Sequence, residues 1–322
     1  MPLVHVDTDV AGDPDDVAAL CYLLARPDVE IGGITTVDDP GGLRAGYAAE
    51  VLRLAGREAV PLAAGAEASL TTGRPCGGPP PGPPYWSAEA TPRPGPLEAA
   101  LDLLAASAAA GAVVVGIGPA TTLALLERRS PGALSDTHVV LMGGWVEQPA
   151  AGLPAWGPQR DSNVVCDPVA AREVRAAAGR LTVVPLAATA QVHLRDRDLP
   201  RLRASGPVGD LMARQAEAYR DDQGKRALGR AHAGLPDDLA NFHHDPLAAA
   251  VAAGWDGVTI EQTYLRTAAG EHGRLERVGP DDPGARAVEL VVGVDGPAFA
   301  EHWLRAVTPR PRTPAGRWPR GS

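Results

Sequence analysis

Residues 5–27 read HVDTDVAGDPDDVAALCYLLARP, and the order of residue types within them decides the fold. Leu3–Val6 is an apolar run suited to a buried strand, and Asp16 to Ala25 carries apolar side chains at helical spacing. Between them, Asp7, Asp9, Asp13, Asp15 and Asp16 crowd around Gly12 and Pro14, residues that permit a tight turn. A strand passing through a polar turn into a helix is the opening unit of an α/β fold. In such sheets, ligands bind beyond the carboxyl ends of the strands, where this turn lies. Five like charges repel one another, so either the turn is solvated and caps the helix, or a divalent cation gathers it. Asp7 and Asp9 share a face while the chain is extended. Asp15 or Asp16 opens the helix, where the dipole and free N–H groups favour a carboxylate. Hard cations such as Ca²⁺ and Mg²⁺ take this kind of all-oxygen donor set.

Working outward, strand-like and helix-like segments alternate. Strands are predicted at Val29–Val37, Val60–Ala64, Ala112–Gly116, His138–Met142 and Leu181–Pro185. Helices are predicted at Leu43–Ala55, Leu97–Ala109, Thr121–Arg128, Asp167–Ala178, Val208–Arg220 and Asp245–Ala253. Two β-branched runs, Val258–Arg266 and Val288–Val294, precede a last helix near Ala298–Val307. The expectation is a single Rossmann-like α/β domain over residues 1–307, its mostly parallel sheet covered by helices on both faces. Residues 74–96 are rich in Pro and Gly and fit neither helix nor central strand. A loop of this length is either a lid or a linker, and Tyr85 and Trp86 at its centre favour a lid. Residues 308–322 form a Pro/Arg-rich tail with no expected chemistry.

Of the 322 residues 45% are hydrophobic, enough for a sizeable core. The net charge of −9 argues against binding to a nucleic-acid backbone. Lys225 is the only lysine. Cys21, Cys76 and Cys166 match neither a disulfide framework nor a zinc knuckle, and Cys21 and Cys166 read as small core residues. Neither a signal peptide nor a membrane-length apolar stretch is recognisable, so the expectation is a soluble cytoplasmic protein.

Three more polar turns fall at predicted strand-to-helix junctions. Asn241-Phe242-His243-His244-Asp245-Pro246 opens an apolar helix, with Asp245 placed as N-cap and a histidine beside it able to act as an acid. Gly118-Pro119-Ala120-Thr121-Thr122-Leu123 is the second, and Asp161-Ser162-Asn163 ahead of Cys166-Asp167-Pro168 is the third. Each alone is capping chemistry, but together they place four polar turns at one sheet edge.

The segments DTDVAGDPDDVAAL, GGITTV, GIGPATTLALL, VVLMGGW, DSNVVCDPVAA and HHDPLAAA, in this order, resemble the inosine–uridine-preferring nucleoside hydrolases from residue 3 to about 307. The resemblance implies a single α/β domain, a tightly held Ca²⁺, and hydrolysis of the N-glycosidic bond of purine or pyrimidine ribonucleosides. By position, Asp9, Asp16, Asp245 and the Thr121 carbonyl match the calcium ligands, and Asp9 also matches the base that takes a proton from water. Asp15 and Asn163 match residues gripping the ribose 2′ and 3′ hydroxyls, and Asp161 a carboxylate near the 5′ hydroxyl. His244 matches the histidine that protonates a departing purine in part of the family, and Asp7 a supporting aspartate. A homo-oligomer, dimer or tetramer, is also implied.

The chain departs from that pattern in several places. The aspartate turn is two residues longer than the commonest form, and Asp13 lies in the extension. The sugar-contacting Asn expected after the second strand is replaced in Thr36-Val37-Asp38-Asp39-Pro40, and the Asn expected near Ala155 is missing. Trp156 and Phe242 adjoin the site motifs and are the expected base-stacking residues, ahead of Tyr85, Trp86, Trp145 and Tyr219. Arg220, Lys225 and Arg226 suit an anionic substrate or plain solvation. Two alternatives compete. One is a haloacid-dehalogenase-like Mg²⁺ phosphatase with Asp7 as nucleophile, Asp9 as acid/base and Lys225 on the phosphate. The other is a non-catalytic nucleoside-binding relative.

Overall fold

The computed structural model describes residues 1–78, 80–268 and 274–308. The strands are β1 (Leu3–Thr8), β2 (Glu30–Thr36), β3 (Leu62–Ala63), β4 (Val113–Gly116), β5 (His138–Met142), β6 (Arg180–Val184), β7 (His193–Arg195), β8 (Leu239–Phe242), β9 (Val258–Thr267), β10 (Leu275–Arg277) and β11 (Arg286–Val294). The helices are α1 (Asp15–Ala25), α2 (Leu43–Leu54), α3 (Leu97–Ala109), α4 (Thr121–Arg129), α5 (Ser162–Cys166), α6 (Pro168–Ala177), α7 (Leu186–Thr189), α8 (Leu199–Arg203), α9 (Pro207–Asp222), α10 (Lys225–Ala231), α11 (His244–Ala252) and α12 (Gly296–Val307).

Nine strands form one sheet in the order β10-β9-β11-β6-β5-β4-β1-β2-β3. From β11 through β3 every neighbouring pair is parallel, and β9 and β10 run antiparallel at the far edge. The chain leaves β1 toward β2 and β3, then returns to place β4 on the other side of β1. That reversal is a topological switch point, and the crevice it opens lies at the carboxyl ends of β1 and β4. β7 and β8 form a separate antiparallel ribbon beside α11.

Apolar burial on both faces of the sheet explains the near-continuous Val/Ile runs of the central strands. Helix α1 is buried nearly all round, between α11 and α12. Trp303 of α12 is fully buried and its indole N–H donates to the Ala18 carbonyl at 3.2 Å. His5 in β1 is buried, with Nδ1 2.9 Å from Ser107 Oγ and Nε2 3.1 Å from Thr35 Oγ1. Burial pushes its pKa down from 6.5 to about 3. The unfolded chain therefore binds one more proton than the folded one between those values, and folding loses stability as pH falls through that window. The cost reaches about 1.4 kcal/mol per pH unit. His5→Gln is expected to flatten the wild-type decline in Tm by one proton's worth between about pH 6 and 4, read by thermal melts across that range.

Two sequence expectations change here. Cys166 is half-buried rather than a core residue, and it is bridged to Cys76 with Cα atoms 5.5 Å apart. A separation of 90 positions between the two cysteines carries no spacing signal for a pair that only the fold brings together. Among the described residues of the 74–96 loop, those around Tyr85, Trp86 and Arg93 are packed down rather than poised as a lid. Trp86 is buried on Tyr47 with ring centroids 4.3 Å apart, and the Tyr85 hydroxyl donates to Asp222 at 2.6 Å. The Arg93 amide donates to the Gly42 carbonyl at 2.8 Å, and the Cys76 bridge fixes the other end. The tail from residue 309 onward lies outside the described residues.

Candidate active site

At the switch point the first turn leaves β1 at Thr8 and enters α1 at Asp15. Asp9, Asp13, Asp15 and Asp16 all line one cavity of about 410 Å³. The turn from β4 to α4 presses against it. A Cβ at Gly118 would lie 2.8 Å from Asp9 Oδ1 and 2.9 Å from the Asp9 amide, so only glycine allows this approach. From the far end of the chain, β8 leads through His243 into α11, whose first turn carries Asp245. The Asp245 amide donates to Asp15 Oδ2 at 3.3 Å, joining positions 230 residues apart.

Oxygens of Asp15, Asp16 and Asp245 lie within 4.8 Å of one another, and all three side chains are buried. Burial, compounded by repulsion among these carboxylates and those of Asp9 and Asp13, holds all three well above the usual carboxylate range. Burial also pushes Asp9 up to about 6, against the pull of Arg44. Among the described residues, no arginine or lysine forms an ion pair with any of these four carboxylates; Arg44 pairs with Asp38 instead. A buried all-oxygen anionic cluster lacking a counter-cation fits a hard divalent ion.

The other candidate residues divide. Asn163 lines the cavity, its Nδ2 held by the carbonyls of Ile117 at 3.0 Å and Met142 at 3.2 Å, which leaves Oδ1 free to accept. Asp161 also lines it, but caps α5 by accepting from the Val164 amide and accepts from the Gly144 amide as well. Burial pushes its pKa up to about 6. His244 lines the cavity with Nδ1 2.7 Å from Thr189 Oγ1, leaving Nε2 unengaged. His243 is buried against Trp303, away from the cavity. Trp156 forms one wall.

Phe242 does not: it is fully buried behind His244, rings nearly parallel at 5.3 Å, and edge-on to Trp156 at 5.0 Å. Its place in β8, paired with β7, turns the ring into the core rather than toward a base. Thr121, whose carbonyl is the group expected at the cation, is buried at the start of α4, and its hydroxyl donates to Asp167 Oδ2 at 2.7 Å. Asp15 stands inside the carboxylate cluster rather than apart from it. Asp7 is fully buried beneath the turn, accepts from Thr35 Oγ1 at 2.5 Å, and does not line the cavity. A phosphatase nucleophile there is out of a substrate's reach.

Further residues complete the wall. Asp13 accepts from Asn241 Nδ2 at 2.7 Å and from the Asp15 amide at 3.3 Å. Tyr219, Gln159, Arg160 and Ser162 join it, as does Lys225, whose ammonium lies 4.7 Å from the Tyr219 ring centre and 5.3 Å from that of Phe242. Lys225 begins α10, a helix not among those predicted from the sequence. Helix α10 is only seven residues long, too short for an apolar period to show. Asp38 and Asp39 face away from the cavity. Asp39 accepts from Thr36 Oγ1 at 2.7 Å and from the amides of Arg44 and Ala45 at 2.6 and 3.0 Å, anchoring α2. Ala11 (φ 82°) and Asp38 (φ 52°) are the non-glycine residues with positive φ among those described. Each such conformation costs on the order of 1–3 kcal/mol and persists only where its surroundings hold it.

The model of the family described as inosine-uridine preferring nucleoside hydrolase matches residues 4–301. A pyrimidine-specific ribonucleoside hydrolase RihA of Shewanella woodyi is 36% identical over 102 residues, 31% of either chain. One from Shewanella baltica is 29% identical over 232 residues, 65% of this chain and 67% of that one. The first match thus takes in under a third of the relative's length. Among solved structures, a plant nucleoside hydrolase superposes with a TM-score of 0.77 at 22% identity, covering 96% of this chain and 99% of that one.

Proposed function

Because the chain belongs to the inosine-uridine preferring nucleoside hydrolase family, we propose that it hydrolyses the N-glycosidic bond of a ribonucleoside to free base and ribose. The observation that carries this is the buried carboxylate cluster on the wall of the switch-point cavity. Asp15, Asp16 and Asp245, with Asp9 alongside, would hold Ca²⁺, which when bound orients water and sugar hydroxyls and favours their deprotonation.

The chain's own residues supply the rest. The sugar gains oxocarbenium character as the C–N bond breaks, and the anionic wall stabilises that charge. Asp9 is placed to take the proton of the attacking water at a carboxylate oxygen. The Asn163 amide oxygen accepts from a ribose hydroxyl. Trp156 offers a face to the base, and His244, fixed through Nδ1, presents Nε2 to protonate it as it leaves. A homo-oligomer belongs to the same reading. The cytoplasmic setting expected from the sequence is opposed by the Cys76–Cys166 bridge, since such bonds are rare in reducing compartments.

A panel of purine and pyrimidine nucleosides, assayed for free base with and without a calcium chelator, tests the proposal. Chelator-sensitive base release is expected. Phosphate release from sugar phosphates without free base, or tight nucleoside binding without turnover, would overturn it. His244→Ala is expected to slow purine nucleosides by about 10²-fold. It should hardly change p-nitrophenyl riboside, whose leaving group needs no proton.

A further inference from the structure

Arg44 sits outside the cavity, yet its guanidinium bridges two loops that the cavity depends on. Nη1 donates to the Asp9 carbonyl and, at 3.1 Å, to the Val10 carbonyl, both in the extended aspartate turn. Nε donates to the Asp38 carbonyl at 2.7 Å, and Nη2 meets the Asp38 carboxylate at 3.3 Å. Both side chains are buried, at 6% and 5% exposure. Asp38 is itself held: the amides of Cys76 and Gly77 donate to its carboxylate at 2.7 and 3.0 Å, and Cys76 is bridged to Cys166 at the end of α5. The two strained backbone positions, Ala11 and Asp38, fall one in each loop that Arg44 joins.

We propose that Arg44 is a positioning residue of the active site, which, gripped by Asp38, holds the lengthened Asp9–Asp16 turn in the conformation that groups its carboxylates. The inference rests on the cation-dependent hydrolase reading above. A two-residue extension gives the turn more conformations than it can use, and backbone carbonyls cannot organise themselves without a donor. Arginine suits the task because its planar fork reaches three carbonyls and a carboxylate at once. Lysine offers one point charge and cannot span them. The second loop, in place of a sugar-contacting asparagine, supplies the acid that aims this arginine.

The test is calorimetric titration of Ca²⁺ into the chelator-stripped full chain, for wild type, Arg44→Met, Arg44→Lys and Asp38→Asn. Thermal melts and steady-state rates accompany each titration. Arg44→Met is expected to weaken Ca²⁺ by about 10- to 100-fold, the range seen when supporting partners of metal ligands are lost. At saturating Ca²⁺, kcat falls by a similar factor while KM moves less than about threefold. Arg44→Lys fails to rescue either quantity, and Asp38→Asn shifts both in the same direction by a smaller factor. Should Arg44→Met not fold, the Asp38→Asn titration decides alone. Ca²⁺ affinity within twofold of wild type in a folded variant, or full rescue by lysine, overturns the proposal. Titration reads cation affinity without any nucleoside, so absent base release in wild type would count against the hydrolase reading and not against this one.

Discussion

Asp9→Asn is expected to lower kcat by about 10³-fold, near the middle of what a positioned general base contributes. The substitution keeps the side chain's volume, and the space is tight: the Gly118 backbone packs directly on the Asp9 carboxylate and amide. An amide cannot take up the proton of water, so the chemical step suffers even where the turn keeps its shape. KM is expected to stay within a few-fold of wild type, because Asn163, Trp156 and His244 still line the cavity. Steady-state rates on the best substrate from the nucleoside panel, with bound cation measured in parallel, check this. Wild-type turnover in Asp9→Asn would overturn the role.

Asp245→Asn is expected to give a crossed pattern of stability. In chelator, the wild type packs Asp15, Asp16 and Asp245 together with no opposing cation, and removing one charge relieves repulsion in a low-dielectric site. The stripped variant should therefore melt at or above the stripped wild type. Adding Ca²⁺ reverses the order. At 100 times its Kd, a ligand stabilises the folded state by about 2.7 kcal/mol. For a chain this long, that corresponds to a rise in Tm of about 4 °C. The variant should lose most of that rise, and base release with it. Melts of both proteins in EGTA and in millimolar Ca²⁺ read the pattern, and equal Ca²⁺-induced shifts would exclude Asp245 from the site.

The strand–turn–helix at residues 3–25 was legible because burial on both faces leaves a plain apolar run, and a cluster of acids marks where it stops. The helix Leu97–Ala109 and the strand His138–Met142 follow their sequence bounds for the same reason. Cavity-facing Asp9, Asp15, Asp16, Asn163, His244 and Asp245 were legible as polar turns at strand ends. Phe242 was misread because adjacency to a motif does not fix which way a β8 side chain points. Tyr219 and Lys225 reach the cavity only through tertiary contacts, and Arg44 reaches the aspartate turn across 34 residues. No local pattern encodes those approaches, nor the pairing of Cys76 with Cys166.

Lys225 has a practical consequence. The chain carries one lysine, and it stands on the wall of the active-site cavity between the Tyr219 and Phe242 rings. Any reagent that acylates side-chain amines therefore has a single address on this protein. Labelling becomes a footprint of cavity occupancy, and a tether or dye installed through that amine is delivered to the cavity wall without engineering.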